Sequence, residues 1–222
     1  MRYFDGYWVY LSEDEGVWFP NPRFSPGKGM IAVGGGLSVE WLVSAYKQGL
    51  FPWSGRPVTW WSPDPRGILE DVYISKSLSK FIKKNPFEIT VDTKFEQVMR
   101  ECGERRTNGT WITEELITAY TQLHNFGYAH SLECWLNGEL VGGVYGVSIG
   151  GYFSAESMFH KVSNASKVAL VKLMQRLKER DYQLVDIQML TPITQKMGGT
   201  LISRQDFLNR LEKALLANCS FA

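Results

Sequence analysis

AHSLECWLNGELVGGVYGVSIGGYFSAESM, residues 129–158, decides how this chain folds. Asn137-Gly138 sits between two runs rich in β-branched, aromatic and aliphatic residues, a strong signal for a two-residue hairpin turn. The reading is a strand from Ala129 to Leu136, a second from Glu139 to Ile149 and, after Gly150-Gly151, a third along YFSAESM. Downstream, Ser163 or Asn164 opens a long amphipathic helix that ends near Arg180, and LVDIQML (184–190) follows as a buried strand. Consecutive antiparallel strands, a crossover helix and a returning strand make an α+β layout, with helices on a mixed, largely antiparallel sheet.

Upstream, Phe87 to Val91 reads as a strand. Thr93 and Thr113 cap helices reaching about Cys102 and Asn125, with Gly127 past the second. Ser75 to Lys84 is a short helix, and Ser38 caps another that runs to Gln48 and stops at Gly49. Ser203 to Asp206 resembles a capping box that opens the last helix. FPWSGRPVTWWSPDPRG (51–67) holds four Pro and three Trp. Proline fixes φ and removes a donor, so this stretch reads as a rigid loop with a domain boundary near residue 62. A small N-terminal domain then covers 1–62 and a larger one 63–222. VGGGL at 33–37 is a turn rather than a nucleotide loop, because it does not match GxGxxG.

The bulk numbers exclude several classes. Of 222 residues, 44% are hydrophobic and 21% charged, the balance of a chain with a packed core. Net charge is +1, so any contact with nucleic acid has to come from a local patch. Cys102, Cys134 and Cys219 are odd in number and form no CxxC, which argues against a disulfide framework. His124, His130 and His160 are not at ligand spacing, so no metal site is expected. GxSxG and Walker A loops are absent. The N-terminus lacks the apolar region of a signal peptide, and no run approaches the roughly 20 apolar residues of a membrane span. A cytoplasmic protein that needs neither cofactor nor membrane is expected.

Four features can carry chemistry. In LVDIQML, strand alternation puts Asp186 and Gln188 on one face and Val185, Ile187 and Met189 on the other. A carboxylate on so apolar a strand needs partners, since a buried lone charge is costly. In YFSAESM, Glu156 is a second out-of-place acid, sharing a face with Ser154 and Met158 on the same alternation. An exposed edge would also explain it. In SKSLSKFIKK (75–84), Lys76, Lys80, Lys83 and Lys84 fall on an arc of about 100°, opposite Leu78, Phe81 and Ile82. Four lysines side by side repel unless phosphates neutralise them. Arg105 and Arg106 extend that basic patch. Trp53, Trp60, Trp61 and Trp111 can serve packing or the stacking of an unpaired base, the latter at about 1–3 kcal/mol per base.

Together, AYKQGLFPW, WWSPDPRG, GTWITEE, GYAHSLE, ELVGGVYGV, ESMF, NASK and DIQ resemble the leucyl/phenylalanyl-tRNA–protein transferase family, from about Gly35 to the last helix. The resemblance implies a small N-terminal domain followed by an acetyltransferase-like (GNAT-like) one. It implies transfer of Leu, Phe or sometimes Met from aminoacyl-tRNA to the N-terminal amine of proteins beginning with Arg or Lys, marking them for N-end-rule degradation, by a monomer. It assigns Asp186 and Gln188 as the catalytic pair, Glu156 as the acid near the aminoacyl group, and Lys76, Lys80, Lys83 and Lys84 as the tRNA-binding cluster. Trp53 and Trp111, with Tyr46 beside them, match positions at the 3′-terminal adenosine. Val144, Phe153, Met158, Leu170, Leu173 and Val185 match the pocket for the aminoacyl side chain.

The aminoacyl ester is already activated, so the reaction needs placement and deprotonation of an amine rather than a metal, ATP or a protein nucleophile. Asp186 is expected as the base, directly or through Gln188, with Glu156 on the donor's α-ammonium. The alternative is an acyl-CoA-dependent N-acyltransferase. It normally carries a Gly-rich pyrophosphate loop before the long helix, where this chain reads HKVSNASK (160–167). A non-catalytic RNA-binding module explains the lysines and tryptophans but not two acids in apolar strands.

Overall fold

The computed structural model describes residues 8–25, 29–54, 57–84, 86–104 and 110–221. Arg105 and Arg106 lie outside them. The elements, in chain order, are β1 (Val9–Leu11), β2 (Met30–Gly34), α1 (Val39–Lys47), β3 (Phe51–Ser54), β4 (Thr59–Trp61), β5 (Arg66–Ile68), α2 (Lys76–Lys83), β6 (Glu88–Val91), α3 (Phe95–Glu104) and α4 (Glu114–Asn125). They continue with β7 (Ala129–Leu136), β8 (Glu139–Ile149), β9 (Tyr152–His160), α5 (Ala165–Glu179), β10 (Leu184–Gln188), α6 (Pro192–Lys196), β11 (Thr200–Ile202) and α7 (Arg204–Ala214).

Among the described residues the strands form two sheets. One has the order β1-β2-β4-β3, the other β11-β5-β10-β9-β8-β7-β6. The hairpin closes at Asn137 and Gly138, both with positive φ as a two-residue turn of this kind requires. β7, β8 and β9 pair antiparallel, and β10 returns parallel to β9 across α5. This is the α+β layout expected, with the parallel pair where the crossover predicted it. Ser38, Ser75, Thr113 and Ser203 each cap their helix by accepting a backbone N–H.

Three expectations fail locally. The Pro- and Trp-rich stretch is not a loop: it supplies β3, β4 and β5. Pro52 is accommodated because β3 is an edge strand, where a missing N–H leaves no ladder bond unmade. The Thr93 side chain does not accept at the start of α3; its hydroxyl donates to Val91 O, and the Glu133 carboxylate receives Lys94 N instead. α5 does start after Asn164 and end at Arg180 as expected, although Asn164 takes a left-handed conformation and gives no side-chain cap. Only half of the expected capping box forms: the Asp206 N–H donates to Ser203 Oγ, while the Asp206 carboxylate pairs with Arg210.

One apolar cluster joins Val9, Leu42, Trp60, Leu116, Tyr145 and Phe207, so it draws on both sheets and their helices. A second lies under α5 and includes Val144, Phe153, Leu170, Leu173 and Val185. The large sheet therefore has a core on each face, and β9 and β10 run between them. No helix among the described residues is long and apolar enough to cross a membrane.

Candidate active site

Asp186 sits in the middle of β10 with no exposure to solvent. Its Oδ1 accepts from Arg66 Nε at 2.8 Å and from the Gln188 N–H at 2.9 Å; Oδ2 accepts from Arg66 Nη2 at 2.6 Å and from the Tyr152 hydroxyl at 2.8 Å. The pair is a two-pronged, charge-assisted contact between two fully buried groups. Arg66 also donates to Gly49 O at 3.1 Å, and its guanidinium lies between the rings of Phe51 (5.0 Å) and Phe207 (4.3 Å). This is the partner that the apolar strand demanded.

The end of β10 is irregular. Pairing with β5 shifts between Asp186 and Gln188, and Gln188 has φ 55°. Gly67 stands opposite, and a Cβ there would meet the Met189 backbone at 3.1 Å, so glycine gives the kinked strand a close, unstrained passage. Gln188 Nε2 donates to Ser154 Oγ at 2.9 Å and to Glu156 Oε1 at 3.2 Å, and Ser154 Oγ donates to the same Glu156 oxygen at 2.9 Å. The backbone of Gln188 thus hangs on Asp186 while its side chain holds Glu156.

Glu156 is the extra residue of a bulge in β9. Tyr145 pairs with Ser157 and Gly146 with Ala155, leaving Glu156 without a partner strand residue. The bulge corrects the simple alternation: Met158 lies with the second apolar cluster, on the other face from Glu156 and Ser154. The Tyr46 hydroxyl also donates to Glu156, and Tyr46 and Tyr120 hydrogen-bond to each other behind it. Burial, then the Glu156 charge, raises both phenols well above their ordinary value, which keeps them neutral hydroxyls. Burial pushes the Glu156 carboxyl up to about 7, against the pull of the hydrogen bonds from Tyr46 and Ser154.

A cleft of about 180 Å³ opens above these groups, walled by Phe51, Trp53, Trp111, Glu156, Gln188 and Met189. Trp53 and Trp111 therefore stand at the cleft. Tyr46 does not: it is fully buried, and its ring offers no face to a base. Of the two acids, Glu156 borders the cleft and Asp186 does not.

The model of the leucyl/phenylalanyl-tRNA protein transferase family matches residues 68–212, and that of its N-terminal domain matches residues 35–64. The leucyl/phenylalanyl-tRNA–protein transferase of Legionella pneumophila (strain Paris) is 46% identical over 211 residues, 92% of this chain and 95% of its own. That of Azoarcus sp. (strain BH72) is 48% identical over 191 residues, 83% of this chain and 81% of its own. The chain belongs to the leucyl/phenylalanyl-tRNA–protein transferase family. It is an aminoacyltransferase, moving an amino acid from aminoacyl-tRNA to a protein. Among solved structures it is similar to the ribosomal-protein-alanine N-acetyltransferase of Brucella melitensis biovar Abortus 2308, at 15% identity over 48% of this chain and 81% of that one, with a TM-score of 0.37. It is also similar to L-PGS from Bacillus licheniformis, at 12% identity over 86% and 66%, with a TM-score of 0.42.

The remaining family positions fall in two places. Lys76, Lys80, Lys83 and Lys84 are exposed along α2, with Leu78 buried beneath them. Val144, Phe153, Met158, Leu170, Leu173 and Val185 gather in the cluster under α5, and none of them lines the cleft. Ile187 belongs to that cluster and also borders the cleft, so the two regions meet there.

Sequence reasoning missed Arg66, Tyr120 and Tyr152. The signal for Arg66 was present as a charge between Pro65 and the apolar pair Ile68-Leu69, but nothing in spacing ties it to a strand 120 residues away. It also missed that Asp92, His124 and His130 converge. Their atoms serve local structure: His130 Nδ1 meets Asp92 Oδ2 at 2.7 Å, and His124 Nδ1 meets Ala129 O at 2.7 Å.

Proposed function

We propose that Glu156 is the group that meets the reacting amine, that Gln188 orients it, and that Asp186 acts through Gln188 rather than on substrate. One observation carries this reading. Asp186 is closed off by Arg66, Tyr152 and the Gln188 N–H, whereas Glu156 borders the cleft with a carboxyl raised to about 7. An α-ammonium has a reference pKa of about 7.7–8.0, so a base near neutrality is matched to it. The amine then attacks the ester carbonyl; the new C–N bond forms, the ester C–O bond breaks, and the proton taken by Glu156 leaves with the tRNA's terminal oxygen. Trp53 and Trp111 hold the 3′-terminal adenosine by stacking, and the apolar cluster reached through Ile187 takes the donor side chain.

The finer assignments rest on the family resemblance. The donors are Leu, Phe and sometimes Met; the acceptors are proteins beginning with Arg or Lys, marked in this way for N-end-rule degradation. The enzyme works as a cytoplasmic monomer, with the lysines of α2 on the tRNA backbone.

The test is transfer of labelled Phe from charged tRNA to an Arg-starting peptide. Glu156→Gln keeps shape and hydrogen bonding and is expected to lower the rate at least 100-fold, the scale of a lost acid–base group. A folded Glu156→Gln protein with wild-type rate would return the base role to Asp186.

A further inference from the structure

Outside the cleft, a groove of about 550 Å³ lies between α2, the start of α5 and α6. Tyr73, Lys167, Ile193 and Lys196 stand along it, over a floor that includes Leu78 and Met197, and no carboxylate lines it among the described residues. Tyr73 is 64% exposed, yet its backbone is fixed by an N–H bond to Met197 O at 2.8 Å. An aromatic ring held out on a fixed backbone is a stacking platform rather than a core residue. Lys167 reaches only Asn164 Oδ1, at 3.3 Å, and Lys196 and the lysines of α2 form no salt bridge among the described residues. α5 opens onto the same groove at Asn164 with no side-chain cap, which adds the positive end of a helix to the field.

The groove and the cleft share a wall. β10 ends in the cleft at Gln188, Thr191 still lines the cleft, and Pro192 and Ile193 already line the groove. The chain thus passes from one to the other at the start of α6, between Thr191 and Pro192. Cationic side chains tracking a path, with an exposed aromatic beside it, is the combination that binds a single nucleic-acid strand.

We propose that this groove holds the unpaired 3′ strand of the tRNA between α2 and the cleft, with Lys167 and Lys196 on its phosphates and Tyr73 stacked on one of its bases. The inference rests on aminoacyl-tRNA being the donor and extends the binding surface beyond α2.

The experiment compares intact tRNA with tRNA lacking its four unpaired 3′ nucleotides, both uncharged, in equilibrium binding across salt concentrations. Tyr73, Lys80, Lys84 and Lys196 are exposed and Lys167 is half-buried; unchanged thermal unfolding confirms folding. The double variant Lys167→Glu/Lys196→Glu is expected to weaken intact tRNA about tenfold. With two phosphates of a single strand no longer neutralised, the log–log salt slope should also become shallower by about 1.4. Tyr73→Ala is expected to weaken it about fivefold or more, the scale of one stacked base. Neither change should affect the truncated tRNA, whereas Lys80→Glu/Lys84→Glu weakens both. Equal losses on both tRNAs would place the groove on the duplex and overturn the proposal, as would no loss on either. Wild-type protein that bound neither tRNA would instead sink the tRNA reading of α2 itself.

Discussion

At the scale of single residues, Glu156 is where burial and hydrogen bonding pull in opposite directions. Burial raises its carboxyl to about 7 while Tyr46 and Ser154 stabilise the charged form. A free glutamate has a pKa of about 4.3. Between these values the folded protein binds more protons than the unfolded chain, so stability falls as pH rises through that window. The expected cost at pH 8 is about 1–3 kcal/mol, and Glu156→Gln should recover it there while changing little at pH 4. Chemical denaturation at the two pH values measures this; equal stability of the two proteins at pH 8 would show that the carboxylate is already compensated. Glu133 is the control in the same sheet. It is fully buried where Glu156 is only partly so, Thr90 Oγ1 (2.6 Å) and Ser131 Oγ (2.5 Å) satisfy it, and it does not line the cleft. An acid in an apolar strand was therefore a legible oddity in the sequence, but it did not by itself mark a site. What separates Glu156 from Glu133 is access, which depends on elements folded from far away.

At the scale of elements, hairpin, crossover helix and returning strand were legible, because turn chemistry and apolar runs are local. The bulges were not. Alternation assumes an unbroken period of two, and the chain breaks it at Glu156 in β9 and at Gln188 in β10, both of which line the cleft. Strand irregularities gather where side chains are re-aimed, so local rules fail where the site is built. The first bulge depends on Gly146 in β8. A Cβ there would lie 2.2 Å from Ser154 O and 2.5 Å from the Phe153 ring. Gly146→Ala must push β9 away, and it is expected to destabilise the protein by about 2–4 kcal/mol, the range of an overpacked core with backbone displacement. Transfer activity should fall more than stability accounts for, since Ser154 anchors Glu156. Kinetics well below the melting temperature test this: a folded variant with wild-type kcat would detach the bulge from the chemistry.

At the scale of the whole molecule, the sheet assignment changes near residue 62, where the sequence suggested a boundary, since β4 ends at Trp61 and β5 begins at Arg66. The energetics do not divide there. Arg66 ties β10 to Gly49 O and to the rings of Phe51 and Phe207, while Arg204 of α7 donates to Ser62 O (3.0 Å) and Ser25 O (2.7 Å). One apolar cluster spans both parts. Unfolding followed by tryptophan fluorescence and by far-UV circular dichroism is therefore expected to give coincident single transitions. Arg66→Ala leaves the Asp186 charge buried without its partner, a loss of about 3–5 kcal/mol, or about 6–20 °C in melting temperature for a chain of this size. The paired replacement Arg66→Met/Asp186→Leu removes both charges at similar volume. It should regain most of that stability, since a buried ion pair gains little over a well-packed apolar one. Transfer should stay lost, because nothing then holds the Gln188 N–H. Were the double variant both stable and active, the ion pair would serve neither stability nor positioning of Gln188; an Arg66→Ala protein that melted in two steps would divide the molecule at residue 62 after all.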